Sequence, residues 1–217
     1  MPATTLTISS KNYSSWSLRG WLMVRQSGLP FSEIIVSPDD ADARAELFLL
    51  APSIRVPCLS YGDALIWDTL AIGEFLHEIA PKKTILPKDQ LLRAHCRSIC
   101  GEMHSGFGSL RSALPMNIRS HFPKFKVWSR AQPDIDRILA IWQECLARSG
   151  GPFLYGEWSM ADAMYAPVVT RFRTYDVGLT GECAAYADAV WNMPFMQEWI
   201  AAAREEKDSY EELEVEF

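Results

Sequence analysis

The stretch of sequence that decides the fold is Arg55-Val56-Pro57-Cys58-Leu59, and Asp68-Thr69 follows it at the start of an apolar helical pattern. A proline between two short apolar runs ends a strand, because it has no N–H to donate to the sheet. A cis peptide bond at Pro57 would leave the Val56 backbone open to an extended peptide that pairs as an added strand. Asp68 and Thr69 would place a carboxylate, a hydroxyl and free helix N–H groups beside that edge. These groups suit a small peptide with an amine and carboxylates; the simpler alternative is a sharp turn followed by an ordinary helix cap.

Composition and charge narrow the classes of function. The chain has 217 residues, 48% hydrophobic and 22% charged, which is enough apolar material for one large domain or two modest ones. A net charge of −6 argues against nucleic acid as the main partner. No apolar run approaches the roughly 20 residues of a membrane span, and the N-terminus lacks a basic region followed by an apolar core. Together with five unevenly spaced cysteines, these features predict a cytoplasmic protein that acts on neither membranes nor nucleic acid.

The first eighty residues alternate between strand and helix patterns. Period-two alternation predicts strands, apolar residues at helical spacing predict helices, and Gly62-Asp63 predicts a hairpin turn. The resulting order is β-α-β-α-β-β-α. The predicted strands are 5–8, 31–36, 57–61 and 65–67, and the predicted helices are 17–26, 39–50 and 69–79.

Beyond a connector rich in proline and charge, nearly every segment has helical spacing. The connector spans Ala80 to Asp89 and predicts a domain boundary. Ser159 and Asp162 match a capping box, which predicts a helix start with a role in folding rather than in chemistry. Helices are predicted near 89–120, 124–148, 160–175, 182–191 and 193–206.

This arrangement resembles the glutathione S-transferase superfamily over nearly the whole chain. The resemblance is carried by the α/β half with Val56-Pro57 and Asp68-Thr69, the short linker, and the helical half with its capping box. It implies an α+β thioredoxin-like N-terminal domain (β-α-β-α-β-β-α) at residues 1–80, a linker at 81–88 and an all-α C-terminal helical bundle at 89–217. It also implies a homodimer with glutathione as co-substrate.

The resemblance assigns glutathione-binding roles to individual residues. Pro57 matches the structural cis-proline, and the Val56 backbone would pair with the cysteinyl part of glutathione. Asp68 and Thr69 would bind the γ-glutamyl group, the carboxylate facing the ammonium and the hydroxyl facing the carboxylate. Arg55 stands where the family often places a polar side chain near the glycyl end.

The catalytic loop implied by the resemblance is Tyr13-Ser14-Ser15-Trp16-Ser17-Leu18-Arg19. It looks like the Ser-Ser-Cys-Ser-x-Arg pattern of the zeta class and its bacterial relatives, which places the catalytic serine at Ser14. Tyr13, Ser15 and Ser17 are the alternatives, and a serine-rich turn that only caps a helix, with Ser15 as the cap, is another. Trp16 replaces the cysteine of the pattern, which argues against maleylacetoacetate isomerase activity and against cysteine-dependent thiol reduction.

A pocket for the second substrate is expected on the first helices of the second half. Met103, His104 and Phe107 share a helix face and are expected to line an electrophile pocket, although core packing explains such a stripe more often than a substrate site does. Cys96 and Cys100 share a face with His104, but no second ligand pair stands at metal spacing elsewhere, so no metal is predicted.

The predicted function is that of a glutathione transferase acting in detoxification. Such an enzyme stabilises the glutathione thiol as a thiolate, which attacks a small hydrophobic electrophile. Two alternatives remain open: a non-catalytic binding or regulatory protein with the same fold, and a glutathione-dependent isomerase or dehalogenase.

Overall fold

The computed structural model describes residues 2–36 and 56–207. The helix predicted at 39–50 and Arg55 lie outside the described residues.

A four-stranded mixed sheet forms the core of the N-terminal part. Its strands are β1 (Thr4–Ile8), β2 (Ser32–Ile35), β3 (Cys58–Tyr61) and β4 (Ala64–Trp67), in the spatial order β2-β1-β3-β4. β2 runs parallel to β1, whereas β3 and β4 pair antiparallel to their neighbours. Gly62 turns the β3–β4 hairpin with a φ of 60°, a conformation that glycine adopts at little cost.

The helices account for most of the remaining described residues. α1 (Ser15–Ser27) follows β1 and ends at Gly28, which adopts the left-handed conformation typical of a helix C-cap. α2 (Thr69–Ile79) follows the hairpin. The C-terminal part contains a short 3₁₀ turn at Ser129–Ala131 and six helices: α3 (Gln90–Ser105), α4 (Gly108–Ala113), α5 (Gln132–Ser149), α6 (Met160–Thr174), α7 (Gly181–Trp191) and α8 (Pro194–Glu205).

The apolar core continues from the sheet into the helical part. Leu18 and Leu22 of α1 are fully buried, and they belong to the same cluster as Leu6 and Leu59 of the sheet and Met160 of α6. α2 also approaches α6 closely, since a Cβ added at Gly73 would lie 2.6 Å from the Met160 sulfur. The two parts are therefore joined by continuous packing, and a site at their boundary has rigid walls.

Two predicted helices are shorter than the sequence pattern suggested. The segment predicted at 89–120 breaks after Ser105, because Gly106 is extended and Phe107 takes a positive φ of 60°. The segment predicted at 124–148 begins only at Gln132. The predicted fold class is confirmed: a thioredoxin-like α+β N-terminal part and a helical C-terminal bundle. Among the described helices, none combines the length and apolar character needed to cross a bilayer.

Candidate functional site

A cavity of about 370 Å³ lies between the start of β3 and the start of α2. His104, from α3, also contributes to its wall, so both parts of the chain form the cavity. The volume falls within the roughly 300–1,000 Å³ that is common for small-molecule sites. The lining residues are Trp16, Val56, Pro57, Trp67, Asp68, Thr69 and His104.

Pro57 lines the cavity and packs closely against Gly20 of α1. The Val56–Pro57 peptide bond is cis, as the sequence predicted. A Cβ added at Gly20 of α1 would lie 2.5 Å from the Pro57 Cγ, so only glycine permits this approach. No hydrogen bond joins the Val56 backbone to another of the described residues. Gly20 was missed in the sequence, where the only signal was a glycine inside a helical pattern.

Asp68 caps α2 with one carboxylate oxygen and faces His104 with the other. Its Oδ1 accepts a hydrogen bond from the Leu70 N–H at 2.8 Å, and its Oδ2 lies 2.5 Å from His104 Nε2. The residue has a φ of 76°, which is uncommon for any residue other than glycine and is found mainly where the surroundings enforce it. The Asp68 side chain is 40% exposed and His104 32%, so both remain accessible from the cavity.

Thr69 carries an unpaired hydroxyl inside the cavity wall. The residue is only 1% exposed, and its Oγ1 has no hydrogen-bond partner among residues 2–36 and 56–207. A buried hydroxyl without a partner costs roughly 1–3 kcal/mol. A ligand that reaches Thr69 with a polar group would remove this cost.

Ser14 is the N-cap of α1. Its Oγ accepts a hydrogen bond from the Ser17 N–H at 3.2 Å and donates to Ser17 Oγ at 2.8 Å. Ser17 Oγ in turn accepts from the Ser9 N–H at 3.0 Å. Ser14 is partly exposed but does not line the 370 Å³ cavity, so its hydroxyl must turn away from Ser17 to reach a ligand there.

The alternatives to Ser14 have other contacts. The Tyr13 hydroxyl accepts a hydrogen bond from Arg119 at 3.0 Å, and Tyr13 is 7% exposed. Ser15 Oγ accepts from Arg19 at 3.3 Å, and Ser17 is fully buried. The sequence-based alternative in which Ser15 caps the helix does not hold, because the capping hydrogen bond is made by Ser14.

Trp16 lines the cavity and is surrounded by cationic side chains. The guanidinium carbons of Arg19 and Arg111 lie 4.6 and 4.8 Å from the centre of the Trp16 ring. The His104 ring centre lies 5.0 Å away. These distances are typical of cation–π and aromatic contacts, so Trp16 is held in place from several sides.

Among residues 2–36 and 56–207, the arginines beside Trp16 donate to backbone carbonyls rather than pair with acidic groups. Arg19 donates to the backbone carbonyl of Met164 at 2.8 Å, and Arg171 donates to the carbonyl of Leu114. Within the described part of the chain, no salt bridge involves Arg19, Arg111 or Arg171.

The pKa values of these arginines reflect burial and mutual repulsion. Burial lowers the pKa of Arg19 well below its usual range, and Arg111 and Arg171 lower it further. Burial, with a contribution from Arg111, lowers the pKa of Arg171 to about 10. Arg171 therefore stays protonated near neutral pH, and because a guanidinium group is not deprotonated in proteins, the cluster provides a positive potential beside the cavity.

The remaining site residues proposed from the sequence lie apart from the cavity. Met103 and Phe107 are 1% and 7% exposed and pack in the core, so an electrophile pocket formed by them stays a prediction. Cys96 and Cys100 are buried free thiols. The described residues contain no group of three or more His, Cys, Asp or Glu side chains placed to hold a metal ion.

Two family models match the chain, one for each part of the fold. Residues 13–79 match the model described as Glutathione S-transferase, N-terminal domain. Residues 110–204 match the model described as Glutathione S-transferase, C-terminal domain.

Several relatives are similar in sequence. The chain is 32% identical to the probable maleylacetoacetate isomerase 1 of Drosophila melanogaster over 130 residues, which is 59% of this chain and 52% of the fly protein. It is 28% identical to the maleylacetoacetate isomerase of Rattus norvegicus over 168 residues, 76% of each chain. The match spans about half the length of the two fly relatives and of the nematode relative.

Solved structures show the same fold. A glutathione transferase homolog from Burkholderia gl BGR1, solved with bound glutathione, superposes with a TM-score of 0.73 at 20% identity and covers 95% of this chain and 100% of its own. A maleylacetoacetate isomerase from Anaeromyxobacter dehalogenans gives a TM-score of 0.67 at 21% identity, with 100% and 98% covered. With both family models matched in order and the fold shared, the chain belongs to the glutathione S-transferase family.

Proposed function

We propose that the chain binds glutathione along the Val56–Pro57 margin and activates its thiol for attack on a small hydrophobic electrophile. The observation that carries the proposal is the cavity that Val56, Asp68 and Thr69 line together. These residues offer a backbone edge, a carboxylate and an unpaired buried hydroxyl, which together match the groups of a γ-glutamyl tripeptide.

Each residue has a defined part in binding. The Asp68 oxygen that faces His104 would accept from the ammonium of glutathione, while its other oxygen keeps capping α2. The Thr69 hydroxyl and the free N–H groups at the start of α2 would receive the adjoining carboxylate. The Val56 backbone would pair with the cysteinyl residue, which directs the sulfur toward α1.

Bound glutathione supplies a thiol that reacts as its thiolate. Three features of the chain favour the anion: the Ser14 hydroxyl as a hydrogen-bond donor, the N-terminus of α1, and the positive potential of Arg19 and Arg111. Lowering a thiol pKa by ~2 units requires ~2.7 kcal/mol of preferential stabilisation. A charge-assisted hydrogen bond of about 1.5–3 kcal/mol and a helix terminus together account for it.

The test compares Ser14→Ala with Ser14→Thr. Retention on immobilised glutathione measures binding, and conjugation of a chloronitrobenzene measures thiol activation. We expect Ser14→Ala to keep binding and lose conjugation, and Ser14→Thr, which keeps the hydroxyl and the cap, to keep both. If the wild-type protein binds glutathione without lowering its thiol pKa, the non-catalytic alternative is correct. If it does not bind glutathione, the proposal fails.

Tyr13→Phe and Ser15→Ala are the matched controls for the other hydroxyls of the loop. Both leave the cap made by Ser14 in place. If conjugation falls in Tyr13→Phe and not in Ser14→Ala, Tyr13 rather than Ser14 stabilises the sulfur anion.

A glutathione-dependent isomerase is the second candidate. The observation that favours it is the uncancelled charge of Arg19, Arg111 and Arg171, which suits an acidic substrate. Relatives named maleylacetoacetate isomerase are consistent with it, although Trp16 stands where the zeta pattern has cysteine. Cis–trans isomerisation of an unsaturated diacid, measured with and without glutathione, separates this candidate from conjugation.

We also propose that the protein is a homodimer in a reducing compartment such as the cytoplasm. Leu91 is 80% exposed and its neighbour Leu92 is 39% exposed, so two apolar side chains at the start of α3 are available for contact with a second copy of the chain. All five cysteines are free and buried. Light scattering coupled to gel filtration, compared with Leu91→Glu, tests the dimer.

A further inference from the structure

The end of α8 returns to the loop that precedes α1. Glu206 directly follows α8, and its carboxylate receives hydrogen bonds from three consecutive residues. Its Oε2 accepts from Ser10 Oγ at 2.7 Å and from the Asn12 N–H at 3.0 Å, while its Oε1 accepts from the Lys11 N–H at 2.5 Å. A carboxylate with two backbone donors and a hydroxyl is a strong, directional anchor.

The loop held by Glu206 is the one that carries Ser14. The Ser14 N–H donates to the Ser10 carbonyl at 3.0 Å, and the Tyr13 N–H donates to Ser10 Oγ at 3.2 Å. Ser10, Lys11 and Asn12 are at most 9% exposed, so their backbone donors have little access to water. Glu206 therefore satisfies the buried Lys11 N–H, which has no other acceptor among the described residues, and it shares the Asn12 N–H with Ser10 Oγ, which lies 3.2 Å away.

Further contacts hold the loop from both sides. The Asn12 side chain donates to Asn117 Oδ1 at 2.9 Å and accepts from the Arg119 N–H at 2.9 Å. Trp199 of α8 donates its indole N–H to the Lys11 carbonyl at 2.8 Å. The loop is thus held from two directions, and Glu206 is the charged member on the α8 side.

We propose that Glu206 is a positioning residue for the reaction, which sets the place of Ser14 through the Ser10–Asn12 loop. The inference rests on the proposed function, because it assigns Ser14 to the sulfur of glutathione. Glu206 does not touch the cavity wall formed by Val56, Asp68 and Thr69. Its removal should therefore affect turnover and leave glutathione binding nearly unchanged.

Glu206→Gln and Glu206→Ala test the proposal, with Glu205→Gln as the control. Gln keeps the shape of the Glu206 side chain but replaces one of its two acceptor oxygens by an NH₂ group. That NH₂ group would face an N–H donor of the loop, so one hydrogen bond is lost and replaced by repulsion. Glu205 is the last residue of α8, is exposed, and loses the same charge when changed to Gln. A control with this charge change separates a local anchoring effect from an effect of net charge.

We expect the Glu206 variants to lose kcat and to keep their affinity for glutathione. We expect kcat for conjugation to fall by about 10- to 100-fold in both Glu206 variants, as a misplacement near 1 Å produces, while the glutathione Kd changes by less than about twofold. Hydrogen exchange at Lys11 and Asn12 should accelerate in the Glu206 variants and not in Glu205→Gln.

Two results overturn the proposal. One is unchanged kcat with unchanged exchange at the loop; the other is a loss of glutathione binding that matches the loss of kcat. If wild-type protein does not bind glutathione at all, the proposed function fails, and with it the positioning role of Glu206. In that case faster exchange shows only that Glu206 anchors the loop.

Discussion

Gly20→Ala is expected to destabilise the protein and to displace the margin of the cavity. The added Cβ would lie 2.5 Å from Pro57 Cγ and 2.7 Å from Pro57 Cβ. Ordinary carbon contacts lie near 3.5–4.0 Å, so α1 or the proline ring must move by about 1 Å. The ring is rigid and Pro57 is buried, which leaves the clash no flexible side chain to absorb it.

The magnitude follows from two opposing terms. Overpacking of a well-packed core costs about 1–3 kcal/mol, and replacing a helical glycine by alanine returns up to about 1 kcal/mol. Because the rigid proline ring places the overpacking cost in the upper part of that range, about 2–3 kcal/mol, we expect a net loss of about 1–2 kcal/mol. At about 2–4 °C per kcal/mol, the Tm should fall by roughly 2–8 °C. A shift of Pro57 should also weaken retention on immobilised glutathione.

Gly101→Ala is the matched control, since Gly101 lies inside α3 and an added Cβ there has no atom within 4 Å. The same chemical change should stabilise the protein by up to about 1 kcal/mol at this position. Urea denaturation of the two variants beside wild type is the assay. If Gly20→Ala is as stable as wild type, or gains stability as Gly101→Ala does, the close approach between α1 and Pro57 is wrong.

Two further predictions concern buried polar groups. Thr69→Val should leave the free energy of unfolding unchanged or raise it by about 1 kcal/mol, because the hydroxyl has no partner among the described residues. The same substitution should lower the affinity for glutathione by about tenfold, as measured by calorimetry. Equal affinity in the variant and the wild type would show that Thr69 is not part of the binding site. Asp162 is fully buried, and burial raises its pKa to about 6, opposed by hydrogen bonds from Leu154 and Ser159. Because the folded-state pKa is the higher one, its contribution to stability is complete below about pH 4 and is lost as the pH rises through 6. A rise of about two units in the Asp162 pKa corresponds to a loss of about 3 kcal/mol in the free energy of unfolding. The urea midpoint of the wild type should therefore fall relative to that of Asp162→Asn between pH 4 and pH 7. If the two midpoints change with pH in parallel, the prediction is wrong.

The sequence predicted the parts of the fold that local patterns encode. The hairpin around Gly62-Asp63 and the start of α2 at Thr69 were confirmed, because turn chemistry and helix capping act over a few residues. The break after Ser105 was missed, although Gly106 and Gly108 on either side of the left-handed Phe107 are a local signal for it. Apolar residues continue past the break with helical spacing, which hid it.

The site was predicted only as far as it lies on one stretch of chain. Val56, Asp68 and Thr69 stand close in sequence, and in the structure all three line the same cavity. His104 was assigned to the electrophile pocket, yet its imidazole contacts Asp68 across 36 positions. Contacts over such separations depend on how helices pack, and a single sequence carries no direct record of them.

The carbonyl partners of Arg19 and Arg171 affect how ligand affinity depends on the anions in the buffer. A carbonyl oxygen satisfies a guanidinium N–H but carries no net charge, so the repulsion among these arginines persists in the folded chain. Arg19 and Arg171 are buried, so small anions of the buffer screen their repulsion little, but such anions can reach the partly exposed Arg111 and compete there with an acidic ligand. Affinities measured in phosphate and in a zwitterionic buffer would then differ for the same protein, and the difference would report how much of this field reaches the cavity.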